Sequence, residues 1–346
     1  MPERERRDGL MASTGLKIPC FCGSGIKYED CCFLKDMEEI RGKGRSSLGS
    51  RLKEAMEGRS FNSLREAQEA FYRVANEQNN TPLDDFCGLS PAQIHRLLYD
   101  PFGEESPARF NLELADIPEI PILKILKQIL MGLSEGGLKM TAKGNLPANF
   151  SRSVALNYYG EEGIREKTRY EGFRKEQDWG EIHIVRLTAE LAGFIKKEKG
   201  KFRLTRKGEQ VFTQGLAGKS FLDLFKAYTL KFNWAYRDGY PQMSIVQNSF
   251  LFTLFCLHRF GDETRSGEFY AELFLRAFPM VLKEKSEIPF RTPEEGARRC
   301  FSLRALERFA SFFGFADVRM PGRHELGLPL EVKKEPFLDS WISFKI

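Results

Sequence analysis

Five residues near the start of the chain constrain it most: Cys20-Phe21-Cys22, an eight-residue interval, then Cys31-Cys32. Two close cysteine pairs joined by a short loop bring four thiolates together at little loop-closure cost, and a tetrahedral thiolate set is what a structural zinc ion takes. Gly23, Ser24 and Gly25 give a sterically free turn whose backbone N–H groups can face the sulfurs. With Lys27, they offset the excess negative charge of a four-thiolate site. A segment this short has almost no core, so metal binding would supply its folding energy. Disulfides suit a secreted framework, and four thiolates also hold iron–sulfur clusters. The close Cys-x-Cys and Cys-Cys pairs favour one small ion, Zn2+.

These residues also resemble a known family. CFCGSGIKYEDCC is similar to the SEC-C motif, the zinc-binding tail of the bacterial preprotein translocase ATPase, which is also found on otherwise unrelated bacterial proteins. The resemblance rests on Cys20, Cys22, Gly23, Ser24, Gly25, Lys27, Tyr28, Cys31 and Cys32. It implies that Cys20, Cys22, Cys31 and Cys32 ligate zinc and that the knuckle is a docking surface. The sequence departs from the pattern at Ile26 and at Glu29-Asp30, where basic residues are usual. The metal site therefore carries over, whereas the translocase tail's own partners, a chaperone and phospholipid or ribosome ligands, do not.

The remaining three cysteines of seven, Cys87, Cys256 and Cys300, are scattered, and residues 1–10 offer no apolar leader. Both features point to a reducing, cytoplasmic setting. The longest apolar run, Ser249 to Leu257, is too short to span a bilayer and reads as a buried helix. A net charge of +5 permits an anionic partner without requiring one.

The chain divides into a zinc-binding module over 1–41, with a charged helix-like stretch from Leu34 to Arg41, and a linker over 42–60 that opens with GKGRSSLGS. A helical domain follows at 61–215, then an aromatic-rich helical domain at 216–346, which holds most of the 30 phenylalanines. Helix starts are marked by Ser63 with Glu66, ahead of apolar Ala67, Phe71 and Val74, and by Ser90-Pro91 with Gln93, ahead of Ile94, Leu97 and Leu98. Pro101 stops the second helix. Further helices are expected from Phe221 through Tyr228, over 245–260 and over 269–281.

A theme of helix, glycine turn, short strand or hairpin and basic turn recurs three times. Its copies are Ile122–Met131 with 136–147, Val185–Ile195 with 199–212, and Leu303–Phe313 with 317–319 and 328–336. Phe202 and Leu204 alternate with Arg203 and Thr205 at the period of a half-buried strand. The expected fold is mainly α with small β-wings, a zinc knuckle tethered to a helical body of winged-helix-like units. The Thr-x-Lys-Gly phrases at 141–144 and 205–208, with the aromatic C-terminal half, resemble uncharacterised bacterial proteins that carry an SEC-C motif on such a body.

The basic run Lys196, Lys197, Lys199, Lys201, Arg203, Arg206 and Lys207, with Arg186 on the preceding helix, is a candidate nucleic-acid surface. A solvated hairpin is the plainer reading of the same run. The four histidines, His95, His183, His258 and His324, sit in unrelated contexts, and no phosphate-binding loop, His-Glu-x-x-His or Gly-x-Ser-x-Gly motif is present. The leading reading is a binding protein: a zinc-dependent adaptor docking an unidentified protein, alternatively a winged-helix nucleic-acid binder, with an unrecognised enzyme third.

Overall fold

The structure, a computed structural model, describes Ser24, Cys31 and residues 63–169, 172–284, 292–319 and 330–346. Most of the zinc module, the 34–41 stretch and the linker at 42–60 lie outside these residues. The fold is mainly α-helical with three small antiparallel sheets.

Helix α1 (Leu64–Asn80) starts on Ser63, whose hydroxyl accepts from the Glu66 N–H. It buries Val74 as expected, but Ala70 rather than Phe71 completes the buried stripe, and Phe71 stays exposed. Helix α2 (Pro91–Tyr99) carries the full reciprocal cap between Ser90 and Gln93, buries Ile94 and Leu97, and ends before Pro101. Strand β1 (Ala108–Phe110) waits for the last residues of the chain to pair with it.

A first unit follows: α3 (Pro121–Ser134), β2 (Leu138–Lys139), α4 (Ala148–Lys167), α5 (Gly180–Leu191), β3 (Ile195–Glu198), β4 (Lys201–Leu204) and α6 (Arg206–Gln214). Its sheet runs β2-β4-β3. Helix α4 is interrupted at Gly160, whose φ of +70° is left-handed. The β3–β4 hairpin turns on Lys199 (φ +48°) and Gly200 (φ +75°). Two positive φ angles make the tight turn that matches strand twist.

Helix α7 (Gly218–Lys226) continues into a π-helical turn, Ala227–Lys231, and buries Phe221, Leu224, Phe225 and Tyr228 as their spacing predicts. After α8 (Ser244–Asn248) comes a second unit: α9 (Phe250–Phe260), β5 (Arg265–Ser266), α10 (Gly267–Ala277), α11 (Pro293–Phe301) with a wider-wound continuation Ser302–Ser311, β6 (Ala316–Arg319), β7 (Glu331–Lys334) and α12 (Pro336–Trp341). The apolar run at 249–257 is thus the buried helix expected of it, with Phe250 through Leu257 all interior.

The second sheet runs β5-β7-β6, the same order as the first. The registers coincide as well. Leu138 and Lys197 flank Phe202 in the first sheet, and Arg265 and Val318 flank Val332 in the second. The sequence reading of three copies is therefore corrected to two units. The strand of the first copy, β2, pairs with β4 of the second copy, so those copies are the two ends of one unit. Strand β8 (Ile342–Phe344) closes the third sheet on β1.

One hydrophobic core runs through both units. At its centre Phe225 meets Phe250, Phe309, Phe313 and Phe315 with centroids 5.6–5.9 Å apart. Trp341 closes it against Phe221 at 4.7 Å. Edge-to-face pairs of this kind each add about 0.5–1.5 kcal/mol beyond burial, which accounts for the wealth of phenylalanine. Among the described residues, no helix is long and apolar enough to cross a membrane.

Candidate functional site

Cys20, Cys22 and Cys32 lie outside the described residues. Cys31 is a half-buried turn residue whose Sγ lies 3.2 Å from Oγ of Ser24. A cysteine serving as a metal ligand is a thiolate, so in that state the Ser24 hydroxyl donates. A hydroxyl so placed would orient a metal-bound sulfur and spread its charge. A four-cysteine donor set with a hydroxyl turned on one sulfur fits zinc. These residues would hold the ion, which when bound contributes folding energy to the segment.

The other cysteines have a different chemistry. Cys87 and Cys256 are buried with sulfurs 4.0 Å apart, and burial, then the Cys87 thiol, push the Cys256 thiol well above its ordinary value. Burial also raises Cys300 to about 12. Both are packed thiols. Among the described residues, no group of three or more His, Cys, Asp and Glu side chains is placed to hold a metal.

The candidate nucleic-acid residues separate into two classes. The sequence reading places Arg186 against a phosphate, but the structure buries it at 2% exposure. Its Nε donates to Glu176 at 2.8 Å, Nη1 reaches Glu190, and the guanidinium stacks 5.3 Å from the Phe202 ring. Glu176 is fully buried and also accepts from the Leu146 N–H and faces His183 Nδ1 at 2.7 Å. Burial opposes ionisation of Glu176, but the His183 hydrogen bond and the Arg186 charge outweigh it and hold the carboxyl below its ordinary value. The His183 ring is held on its other side by Tyr236 at 3.1 Å. Arg186 is thus the centre of an internal network, because an unpaired guanidinium has no stable place in a core.

Of the other candidates, Lys196, Lys197, Lys199, Lys201 and Arg206 are exposed, Arg203 and Lys207 are half-buried, and several are already paired. Lys196 lies 3.3 Å from Glu198, Lys197 3.3 Å from Glu190, Arg203 3.6 Å from Glu198 and Lys207 2.6 Å from Asp223. Lys199, Lys201 and Arg206 make no ion pair among the described residues. Strand alternation places Lys196 and Glu198 on the face they share with Arg203 and Lys201. Lys139, which the sequence reading missed, joins that face because β2 sets it opposite Lys201. Its signal was the alternation Leu138-Lys139 just after the Gly136-Gly137 turn.

No curated protein and no solved structure matches the chain. Residues 18–34, which contain all four clustered cysteines, match the family model of the SEC-C motif, so the chain carries a module of zinc-binding type.

Proposed function

We propose that this protein is a zinc-dependent adaptor of the bacterial cytoplasm. Its SEC-C knuckle docks a protein partner, and two winged-helix-like units form the platform that carries it. The helix–strand–helix–helix–hairpin order of each unit and the shared strand orders support the winged-helix description.

One observation carries the choice of adaptor over nucleic-acid reader. In helix-turn-helix and winged-helix readers, the helix before the hairpin enters the major groove with free polar side chains. Here α5 buries Ile182, His183, Val185, Arg186, Thr188 and Ala189, and the matching helix of the second unit buries Ala297, Cys300, Phe301 and Arg304. On α5 only Gly180 and Leu191 are exposed, so the helix before the basic hairpin offers no polar reading face. The exposed Lys199, Lys201 and Arg206 support a second, weaker reading, a sequence-independent grip on a phosphate backbone.

The test is capture by full-length protein with and without Cys31→Ser and Cys32→Ser, with bound zinc quantified and captured proteins identified by mass spectrometry. Retention of a discrete partner by the zinc-loaded wild type, and its loss in the variants with the body still folded, is the expected result. Tight, salt-sensitive binding of random duplex DNA or single-stranded RNA, abolished by Lys199→Glu with Lys201→Glu, would overturn it in favour of the second reading.

A further inference from the structure

The matched registers of the two sheets allow a comparison at equivalent positions. In the first, the face that carries Lys196 holds four cations, Lys139, Lys196, Lys201 and Arg203, against one carboxylate, Glu198. The equivalents in the second are Ser266, Asp317, Glu331, Lys333 and Arg319, two cations against two carboxylates. Scaffolding alone does not require this difference, since the balanced face supports the same strand order and register. The excess positive charge is a property of the first unit.

That face also has a groove of about 550 Å³, lined by Leu133 and Phe212, by Lys196 and Arg203, and by the Gly136-Gly137 turn. Phe212, on α6, is 39% exposed. Arg203 Nε is buried without a hydrogen-bond acceptor, the Glu198 carboxylate standing 3.6 Å away. The Arg203 side chain as a whole is 40% exposed, so a carboxylate brought in by a ligand can pair with the guanidinium beside Glu198.

We propose that this groove is the body's own docking site and that its occupant is an extended acidic peptide segment carrying an apolar side chain. The inference rests on the adaptor reading and names the class of the second partner. Acidic residues of the segment meet Lys196 and Arg203 in the groove and Lys139 and Lys201 on the same sheet face, while its apolar side chain packs on Phe212. Glu198 and Glu209 also line the groove. Their carboxylates oppose a backbone with a charge on every nucleotide, whereas a peptide can set neutral residues beside them.

The experiment titrates full-length protein against a fluorescein-labelled oligoglutamate peptide with a central Leu-Phe pair, and against duplex DNA, reading fluorescence anisotropy. Lys139→Glu with Lys201→Glu is expected to weaken the peptide about tenfold, and Phe212→Ser by a similar factor. Lys333→Glu, at the position equivalent to Arg203, is expected to change nothing. Circular dichroism confirms the fold of each variant. Peptide affinity unchanged across the first-sheet variants, or DNA bound more tightly than peptide, overturns the proposal. Zinc-stripped protein separates the two readings. Peptide binding that survives zinc removal upholds the groove even where knuckle capture fails. Zinc-dependent capture without peptide binding overturns the groove and leaves the adaptor reading standing.

Discussion

Phe194 and Phe315 occupy the same position in the two units. Each follows the left-handed glycine that ends the third helix, Gly193 (φ +76°) or Gly314 (φ +66°). Phe194 donates its N–H to the Ala189 carbonyl at 2.9 Å and accepts from the Thr205 N–H at 3.0 Å; Phe315 donates to Ala310 at 2.8 Å and accepts from Glu335 at 3.0 Å. Both rings are fully buried. The helix end, the strand start and the start of the next helix are therefore fixed by one residue in each unit.

The two glycines should nevertheless respond differently to alanine. A side chain at Gly193 meets nothing within 4 Å, so Gly193→Ala should cost only the left-handed strain, about 1–2 kcal/mol. At Gly314 an added Cβ would stand 2.2 Å from Ile120 Cγ2, so Gly314→Ala should cost more. Urea unfolding of the two variants measures the difference.

Glu176→Gln should destabilise the body by about 3–5 kcal/mol, because it leaves the buried Arg186 with a weakened partner set. The wild type should also lose stability in acid. Glu176 has a folded pKa below its unfolded value, so its contribution is fully present above the unfolded pKa of about 4.3 and disappears as pH falls through the lower, folded value. The variant should lack that component of the pH dependence of unfolding, measured between neutral pH and the acid limb.

Asp238 and Arg304 form a second buried pair, with oxygen–nitrogen distances of 2.6 and 3.1 Å. The guanidinium also donates to the carbonyls of Pro241 and Gln242 at 2.8 and 2.6 Å, pinning the loop that leads into α8. Asp238→Ala should cost about 3–5 kcal/mol by leaving a buried charge, and Asp238→Leu combined with Arg304→Met should cost less. Denaturant midpoints of both variants check this.

One zinc ion per chain is expected, released by Cys31→Ser without a change in the melting of the body. Ser24→Ala removes the hydroxyl 3.2 Å from Cys31 and should weaken zinc about 10–100-fold, read by chelator competition. In the native zinc-free protein a maleimide should label the clustered cysteines quickly and Cys256 and Cys300 only on unfolding, since burial raises both thiols.

Much of the fold was legible in short-range chemistry. The Ser90-Pro91-Gln93 cap, the buried helix after Ser249, and the alternation of Phe202 and Leu204 depend on neighbours within a few residues, and the structure has each of them. Trp234, two residues after Phe232, is buried, and its Nε1 donates to the Tyr228 carbonyl at 3.1 Å. The cysteine spacing likewise identified a zinc-type motif without any tertiary information.

Tertiary structure alone decided the pairings between distant segments. That β2 joins β4, and so merges two apparent repeats into one unit, depends on strands more than sixty positions apart, about which local periodicity says nothing. The fate of Arg186 turned on packing rather than on distance along the chain, since its partners Glu176 and Glu190 lie only ten and four residues away. Its sequence neighbourhood suits a phosphate contact, but the turn just before α5 sets Glu176 against it and the core closes over both. A charged side chain is exposed or buried according to where its partner is brought, and chain connectivity in three dimensions sets that place.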